Sequence, residues 1–456
     1  MPAADIPTII AKALPLCEPS ENEAKRITSI AQDTKRLVEN SLASSDKVTG
    51  IIFGGSFAKG TWLKNDADID VFFKVKPSVS IEDFEKMGRS VGQQALKKYG
   101  PKLRYSDHPY VEAFVKGVRV NVVPCYDVEQ GKWQSAADRS PYHTEYVLHN
   151  LDDEKKNQVR LLKKFFKSIG IYGAEISTAG FSGYVSEVLI LKYGSFENVL
   201  RAAADVKERQ VVAINDNYDP DIVKGFQSPI IIMDPVDIRR NLGTAISPES
   251  VGKFVLAARA FLIQPSLRFF KVEKHGRAAN ELYQNVLVVE FIHKERSPDV
   301  IWGQLKRTLN AMAKQLEIAG FVVLRSSCIT DEKNSAVLAF LLESLILAPY
   351  ATKKGPEIFR RSDSAKFISS GKRPLIMWVD KDMRVMMLVD RKVADARQFA
   401  KLLIFKNFNN SGIVQDVIVN KRKIQIYSGS GRKIKGLALE AVSEIVSTEH
   451  RIFRGN

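Results

Sequence analysis

Two aspartates, two residues apart in an otherwise apolar run, are the first groups in this sequence that could do chemistry. They are Asp68 and Asp70 of "GGSFAKGTWLKNDADIDVFFKV", residues 54–75. Side chains alternate across a strand, so both carboxylates share one face. Ala67, Ile69, Val71 and Phe72 make that strand largely buried. Two neighbouring buried carboxylates repel unless a cation lies between them. Magnesium suits such a place, because it takes one or two carboxylates, waters and phosphate oxygens. Ser56 stands 12 residues before Asp68, after Gly54 and Gly55. Glycines let the backbone turn sharply and approach a ligand closely. The helix that follows offers free N–H groups and a positive dipole end to an anion. The Ser56 hydroxyl can donate to a phosphate oxygen, and Lys59 adds a charge one turn on. The unit reads as a triphosphate site beside a metal pair, suited to phosphoryl or nucleotidyl transfer by in-line attack. It is not a Walker loop, since GxxxxGK[ST] is absent. The plainer reading is two surface aspartates on an exposed strand edge.

The elements that must position these groups follow from periodicity. Residues 6–42 read as helix, with Ser20 as a cap and Glu23 three residues on. "VTGIIFG" and "ADIDVFFKV" read as strands around the Gly-Gly-Ser turn and a short helix. "SIEDFEKMGRSVGQQALKKYG" reads as a helix, and "VEAFVKGVRVNVVPCYDV" as a hairpin turning near Lys116-Gly117. Residues 152–208 are mostly helical, and "SPESVGKFVLAARAFLIQ" is a capped helix. From residue 285 the pattern becomes strand, helix, strand, strand, as in ferredoxin-like folds. The last quarter mixes basic loops with short strands and ends in the helix "KGLALEAVSEIVSTEHRIF". The fold class is therefore α+β and multidomain. The expected parts are a head at 1–145, a mostly helical neck at 146–264, a ferredoxin/RRM-like body at 265–350 and a basic tail at 351–456.

Composition narrows the partners. The 456 residues allow about two to four domains. With 45% apolar and 26% charged residues, the chain suits a soluble, core-forming protein. No apolar run of about 18 residues or more appears, so nothing reads as a membrane span. The N-terminus lacks a basic leader and reads as helix, not as a signal peptide. Cys17, Cys125 and Cys328 are far apart and form no zinc or disulfide pattern, which favours a reducing, cytoplasmic setting. Residues 351–456 carry +12 of the net +16 charge. Such a block points to a polyanion such as nucleic acid; the alternative is a solvated basic face.

At this point the residues meet a known pattern. "GGSFAKGTWLKNDADIDVF" resembles the nucleotidyltransferase signature of Gly-Ser followed by Asp/Glu-x-Asp. "AKGTWL", "VVPCY", "RSPYHTEYV", "VRLLKKFFKSIGIYGAEISTAGFSGYVSEVLI", "DPVDIRRNL" and "PSLRFF" are similar, in the same order, to the archaeal (class I) CCA-adding tRNA nucleotidyltransferases. That resemblance implies addition of C, C and A to the 3′ end of tRNA from CTP and ATP, with release of pyrophosphate. It implies two magnesium ions at Asp68 and Asp70, and Gly55, Ser56 and Lys59 at the nucleotide's phosphates. It further implies His143 at the triphosphate or sugar, Lys163 at a phosphate, Tyr172 and Tyr184 lining the site, and Arg240 at the base edge. Lys164 and Arg239 stand beside two of these as rivals. The tRNA would be held by its acceptor and TΨC arms on the basic quarter, through shape and phosphate contacts. A homodimer is expected from the family only.

One position departs. Where the family has a third carboxylate, this chain has Asn121, 51 residues after Asp70. An amide oxygen can ligate magnesium, but it carries no charge and accepts no proton at neutral pH. Either the residue is an Asp-to-Asn change that stalls the reaction, or the natural protein works with the amide. Asp127 or Glu112 could compensate. The rival functions are a tRNA- and nucleotide-binding protein with little or no catalysis, and a poly(A)-type polymerase of the same superfamily.

Overall fold

The computed structural model describes residues 5–42, 45–105, 108–216, 218–271, 279–370, 373–406, 408–413, 423–430, 434–449 and 452–453. The chain folds as two compact units, one of residues 1–274 with 449–456, the other of residues 275–448.

In the first unit a five-stranded sheet carries the aspartates. Its strands are β1 (Val48–Gly54), β2 (Asp68–Val75), β3 (Lys102–Tyr105), β4 (Pro109–Val115) and β5 (Val118–Tyr126), in the order β1-β2-β5-β4-β3. β2 runs parallel to β5 and antiparallel to β1. The period-2 pattern of β2 sends Ile69, Val71 and Phe73 into a core with the helices Glu21–Leu42 and Ile81–Ala95. Asp68 and Asp70 are left on the opposite face. The hairpin turns at Lys116 (φ 49°) and Gly117 (φ 81°), both in the left-handed region that a two-residue hairpin demands. β3 was not expected; it is short and half-exposed, so its sequence shows little apolar alternation.

The expected single helix over 6–42 is two helices, Ile6–Cys17 and Glu21–Leu42. Pro19 lies in the break, where its ring and missing N–H stop a helix from continuing. Ser20 Oγ accepts from Glu23 N at 3.2 Å at the start of the second. The first helix packs in the second core of this unit, with helices Asp153–Ser168, Gly183–Tyr193, Phe196–Ala204 and Pro248–Ile263. Phe165 is its hub, with Phe196, Phe261, Phe269 and Phe270 all within 6.4 Å between ring centres. Two-residue strands β6 (Val211–Val212) and β7 (Ile231–Ile232) pair in parallel just before the loop at 233–241.

The second unit is built on β8 (Val286–Ile292), β9 (Val323–Thr330), β10 (Ser335–Leu342) and a strand from far downstream, β14 (Gln425–Ser428). Before β14 come β11 (Tyr350–Glu357), β12 (Ile376–Val379) and β13 (Arg384–Asp390), which form a separate three-stranded sheet. The main sheet has the order β14-β8-β10-β9. Helices Pro298–Ile318 and Ala396–Phe405 cover one face and helix Gly436–Val446 the other. Coverage on both sides is why β8 and β10 are nearly continuous apolar runs. The expected division at residue 350 would cut this sheet, because β14 joins it from beyond that point. The final helix ends at Val446, short of the expected Phe453. Residues 414–422 and 431–433 of the basic quarter lie outside the described residues.

Replacing Phe165 by Ala removes the ring that four other phenylalanines touch. Urea unfolding of Phe165→Ala is expected to show a loss of about 3–5 kcal/mol; a loss below about 1 kcal/mol would mean that this cluster does not carry the neck's core.

Candidate active site

The parallel register of β2 and β5 sets Asp68 opposite Arg119 and Asp70 opposite Asn121. On β4, Glu112 lies opposite Asn121. These five side chains therefore share one face. Arg119 grips Asp68 with both ends of its fork, Nε reaching Oδ1 at 2.8 Å and Nη2 reaching Oδ2. Arg104 Nε and Nη2 both donate to one oxygen of Glu112, Oε1, at 3.0 and 2.7 Å. Asn121 Nδ2 donates to Asp70 Oδ1 at 2.8 Å, which leaves Asn121 Oδ1 buried without a protein partner. Burial pushes the Asp70 carboxyl above its ordinary range, against the hydrogen bond from Asn121.

Gly55 is required here for two reasons. Its φ is +64°, and a Cβ built on it would lie 1.9 Å from Asp70 Oδ2. The one-turn helix Gly55–Lys59 can thus start directly against the carboxylate only with glycine at that position. Of the two acids named as compensators, Asp127 is six residues beyond Asn121, about 20 Å along the strand. It is also held by Lys74 at 2.9 Å and Thr49 at 2.7 Å, so it cannot replace a carboxylate at Asn121.

Lys59 and Lys163 were expected at phosphates. Both are buried, at 5% and 1% exposure, and both point at Glu187, which is fully buried. Lys59 Nζ meets Glu187 Oε2 at 2.5 Å, while Lys163 Nζ donates to Glu187 Oε1 at 3.2 Å. Lys163 also donates to the Thr61 carbonyl at 3.2 Å and hydroxyl at 3.0 Å, so its three protons are used within the protein. Its neighbour Lys164 is only half-buried. Burial pulls the Lys163 ammonium down to about 8, against the attraction of Glu187. Burial alone would raise the Glu187 carboxyl, but Lys59 and Lys163 outweigh it and hold it low. Tyr172 approaches the same cluster; its ring lies under Lys167 Nζ at 5.1 Å, and burial pushes its hydroxyl far up.

A second buried acid, Asp234, gathers the remaining expected residues. His143 Nε2 lies 2.8 Å from Asp234 Oδ2, Tyr184 donates its hydroxyl to Oδ1 at 3.2 Å, and Arg240 Nη1 donates to Oδ2 at 3.3 Å. The His143 and Tyr184 rings stack at 4.0 Å. Burial holds His143 below its usual pKa, so the imidazole is neutral and its Nε2–H donates to Asp234. Burial pushes Tyr184 far up as well. Lys59 Nζ lies 5.2 Å from the Tyr184 ring, which links the two clusters. His143, Tyr184, Arg240 and the Arg139–Asp237 pair line a cavity of about 1210 Å³. Asp68 and Asp70 are not among its lining residues.

Sequence reasoning missed Glu187 and Asp234. The signal for Glu187 was an acid inside "YVSEVLILKY", a helix apolar on all sides, where a charge must be paired. The signal for Asp234 was an acid closing the apolar run "IIIM".

Among the described residues no three His, Cys, Asp or Glu side chains gather as a metal cluster. The oxygens on this face that could take a cation are those of Asp68, which Arg119 covers, of Asp70 and of the Asn121 amide. All are hard oxygen ligands, and the last is an orphaned buried acceptor, so the set fits a magnesium-like ion.

Comparison with known proteins gives the chain its family. Residues 35–143 match a nucleotidyltransferase domain, 157–271 the second domain of tRNA nucleotidyltransferase, and 284–427 the C-terminal domain of CCA-adding enzyme. A CCA-adding enzyme of Pyrobaculum neutrophilum is 34% identical over 78% of this chain and 83% of its own length. Those of Saccharolobus shibatae and Sulfurisphaera tokodaii are 35% and 36% identical, over 84% and 85% of this chain and 91% and 92% of theirs. The chain belongs to the CCA-adding enzyme family. Within this family member the matched C-terminal domain runs past residue 350 into β14, in keeping with the sheet. No helix among the described residues is long and apolar enough to cross a membrane.

Removing the charge of Glu187 leaves two buried ammonium groups without their acid. Glu187→Gln is expected to cost about 3–5 kcal/mol at pH 7 in urea unfolding. Because the folded state lowers the Lys163 pKa, its charged form costs stability fully below about pH 8 and progressively less up to 10.5. The variant lowers that pKa further, so the Lys163 share of the deficit is expected to vanish above about pH 8. A deficit that grew with pH would contradict the assignment.

Proposed function

We propose that this chain adds C, C and A in turn to the 3′ end of tRNA, using CTP and ATP and releasing pyrophosphate. The observation that carries the reading is the Asp68–Asp70 pair set against Gly55, in a chain whose relatives over most of its length are CCA-adding enzymes and whose last part matches their C-terminal domain. The terminal ribose hydroxyl attacks the α-phosphorus of the nucleotide, and the bond to the β-phosphate oxygen breaks. Asp70 and the Asn121 amide oxygen, with Asp68 beside them under Arg119, would hold a divalent cation, which supplies Lewis-acid charge for the phosphate oxygens when bound. Gly55 and Ser56 bring the backbone of the one-turn helix to the triphosphate. Lys59 and Lys163 act from behind: bound to Glu187, they set a positive field under the phosphates and fix Thr61.

The stacked His143–Tyr184 pair and Arg240 form a wall for the sugar and base, with Asp234 holding all three. The cavity beside them has room for a nucleoside. The basic final quarter contacts the tRNA backbone. Three buried free cysteines suit a reducing compartment, and we place the protein in the cytoplasm.

Incubating the protein with tRNA that lacks CCA and with labelled CTP and ATP is expected to give products extended by C, C and A, then a stop. Longer tails, or incorporation without tRNA, would refute the reading in favour of a polymerase. Binding of both substrates with no extension would favour a binding protein. Asp234→Asn keeps the shape of the side chain but removes the charge on which Arg240 rests. It is expected to raise KM for both nucleotides about tenfold with kcat little changed; a fall in kcat at unchanged KM would place Asp234 in the chemical step.

A further inference from the structure

The charges on the catalytic face do not match a centre for two divalent ions. Its three carboxylates are Asp68, Asp70 and Glu112, and arginines hold two of them. Arg119 covers both oxygens of Asp68, and Arg104 holds Glu112. Asp70 is the acid on this face that no lysine or arginine hydrogen-bonds among the described residues; its partner is the neutral Asn121 amide. Lys59, on the one-turn helix that starts against Asp70, is turned to Glu187, and Lys74, four residues on, is paired with Asp127. Arg119 is exposed, but its place is fixed by the sheet. The parallel register of β2 and β5 sets it directly across from Asp68, as it sets Asn121 across from Asp70. Asn121 brings one further ligand, its buried Oδ1 without a protein partner.

We propose that this centre takes one divalent cation in place of two, bound by Asp70 and the Asn121 amide oxygen, with the Arg119 guanidinium on Asp68 supplying the second positive charge. The inference rests on the reading of Asp68 and Asp70 as the nucleotidyl-transfer centre and says how this chain departs from a three-carboxylate version of it. One carboxylate, an amide oxygen, waters and substrate phosphates are a sufficient set for magnesium. A second divalent ion would have to displace a two-pronged, charge-assisted pair from Asp68. It would do so with no acid at position 121 to receive it. The amide and the arginine are thus complementary: one removes the charge that calls for the second ion, and the other fills the remaining need.

The test counts manganese ions bound with a non-hydrolysable α,β-methylene analogue of CTP, by equilibrium dialysis and by electron paramagnetic resonance. The unaltered chain is expected to hold one Mn²⁺ per bound analogue, with an uncoupled spectrum. Asn121→Asp is expected to hold two, with the spin-coupled spectrum of ions about 3.5–4 Å apart. Arg119→Gln is expected to admit a second, weaker ion at the freed Asp68. Two coupled ions in the unaltered chain would overturn the inference and leave the functional reading standing. An Mn²⁺ count and affinity unchanged in Asp70→Asn would overturn both, because the ion would then lie elsewhere.

Discussion

A half-buried carboxylate that no basic side chain hydrogen-bonds among the described residues governs this molecule. Asp70 is pressed between the Gly55 backbone and the Asn121 amide, and among the described residues no ammonium or guanidinium hydrogen-bonds it. Burying an unpaired charge is costly, and proteins keep such an arrangement where something else supplies the counter-charge. The surrounding structure can be understood as what makes the position tenable. β2 buries Ile69, Val71 and Phe73 against two helices, so the aspartate face cannot slip by one residue without turning the core outward. Gly55 permits the closest approach of the next helix. Arg119 neutralises the neighbouring acid, so that the two aspartates do not repel at full strength.

Behind that face two buried acids do the organising. Glu187 ties the one-turn helix of the head, through Lys59 and Thr61, to the neck helix that carries Lys163. Asp234 ties the His143 helix to the loop that carries Arg240. Both are fully buried and each has cationic or hydrogen-bonding partners on more than one element. The lysines the sequence assigns to phosphates therefore act at one remove. Their protons stay within the protein, and in the proposed reaction their fields would reach the phosphates with no rearrangement when an anion arrives.

Much of this was legible in the sequence where the physics is local. Period-2 alternation placed Asp68 and Asp70 on one face, and Lys116-Gly117 marked the hairpin that brings Asn121 beside Asp70. Local patterns could not show which lysines were spoken for, because Glu187 lies 128 residues from Lys59. Nor could they show β14, a four-residue strand that joins a sheet whose other members end at Leu342. The insertion of β11 to β13 between them hid the continuity and suggested a boundary at 350. Asp127 looked like a spare carboxylate only while its distance along β5 and its pairing with Lys74 were unknown.

The central claim is that a cation and a nucleoside triphosphate meet at Asp70, with the base beside His143 and Arg240. Anomalous scattering from crystals grown with Mn²⁺ and CTP tests it most directly. The account predicts a manganese peak at coordinating distance, about 2.1–2.2 Å, from an Asp70 oxygen, with triphosphate density against Gly55 and Ser56. A nucleotide lodged away from β2, or manganese bound with no contact to Asp70, would contradict it.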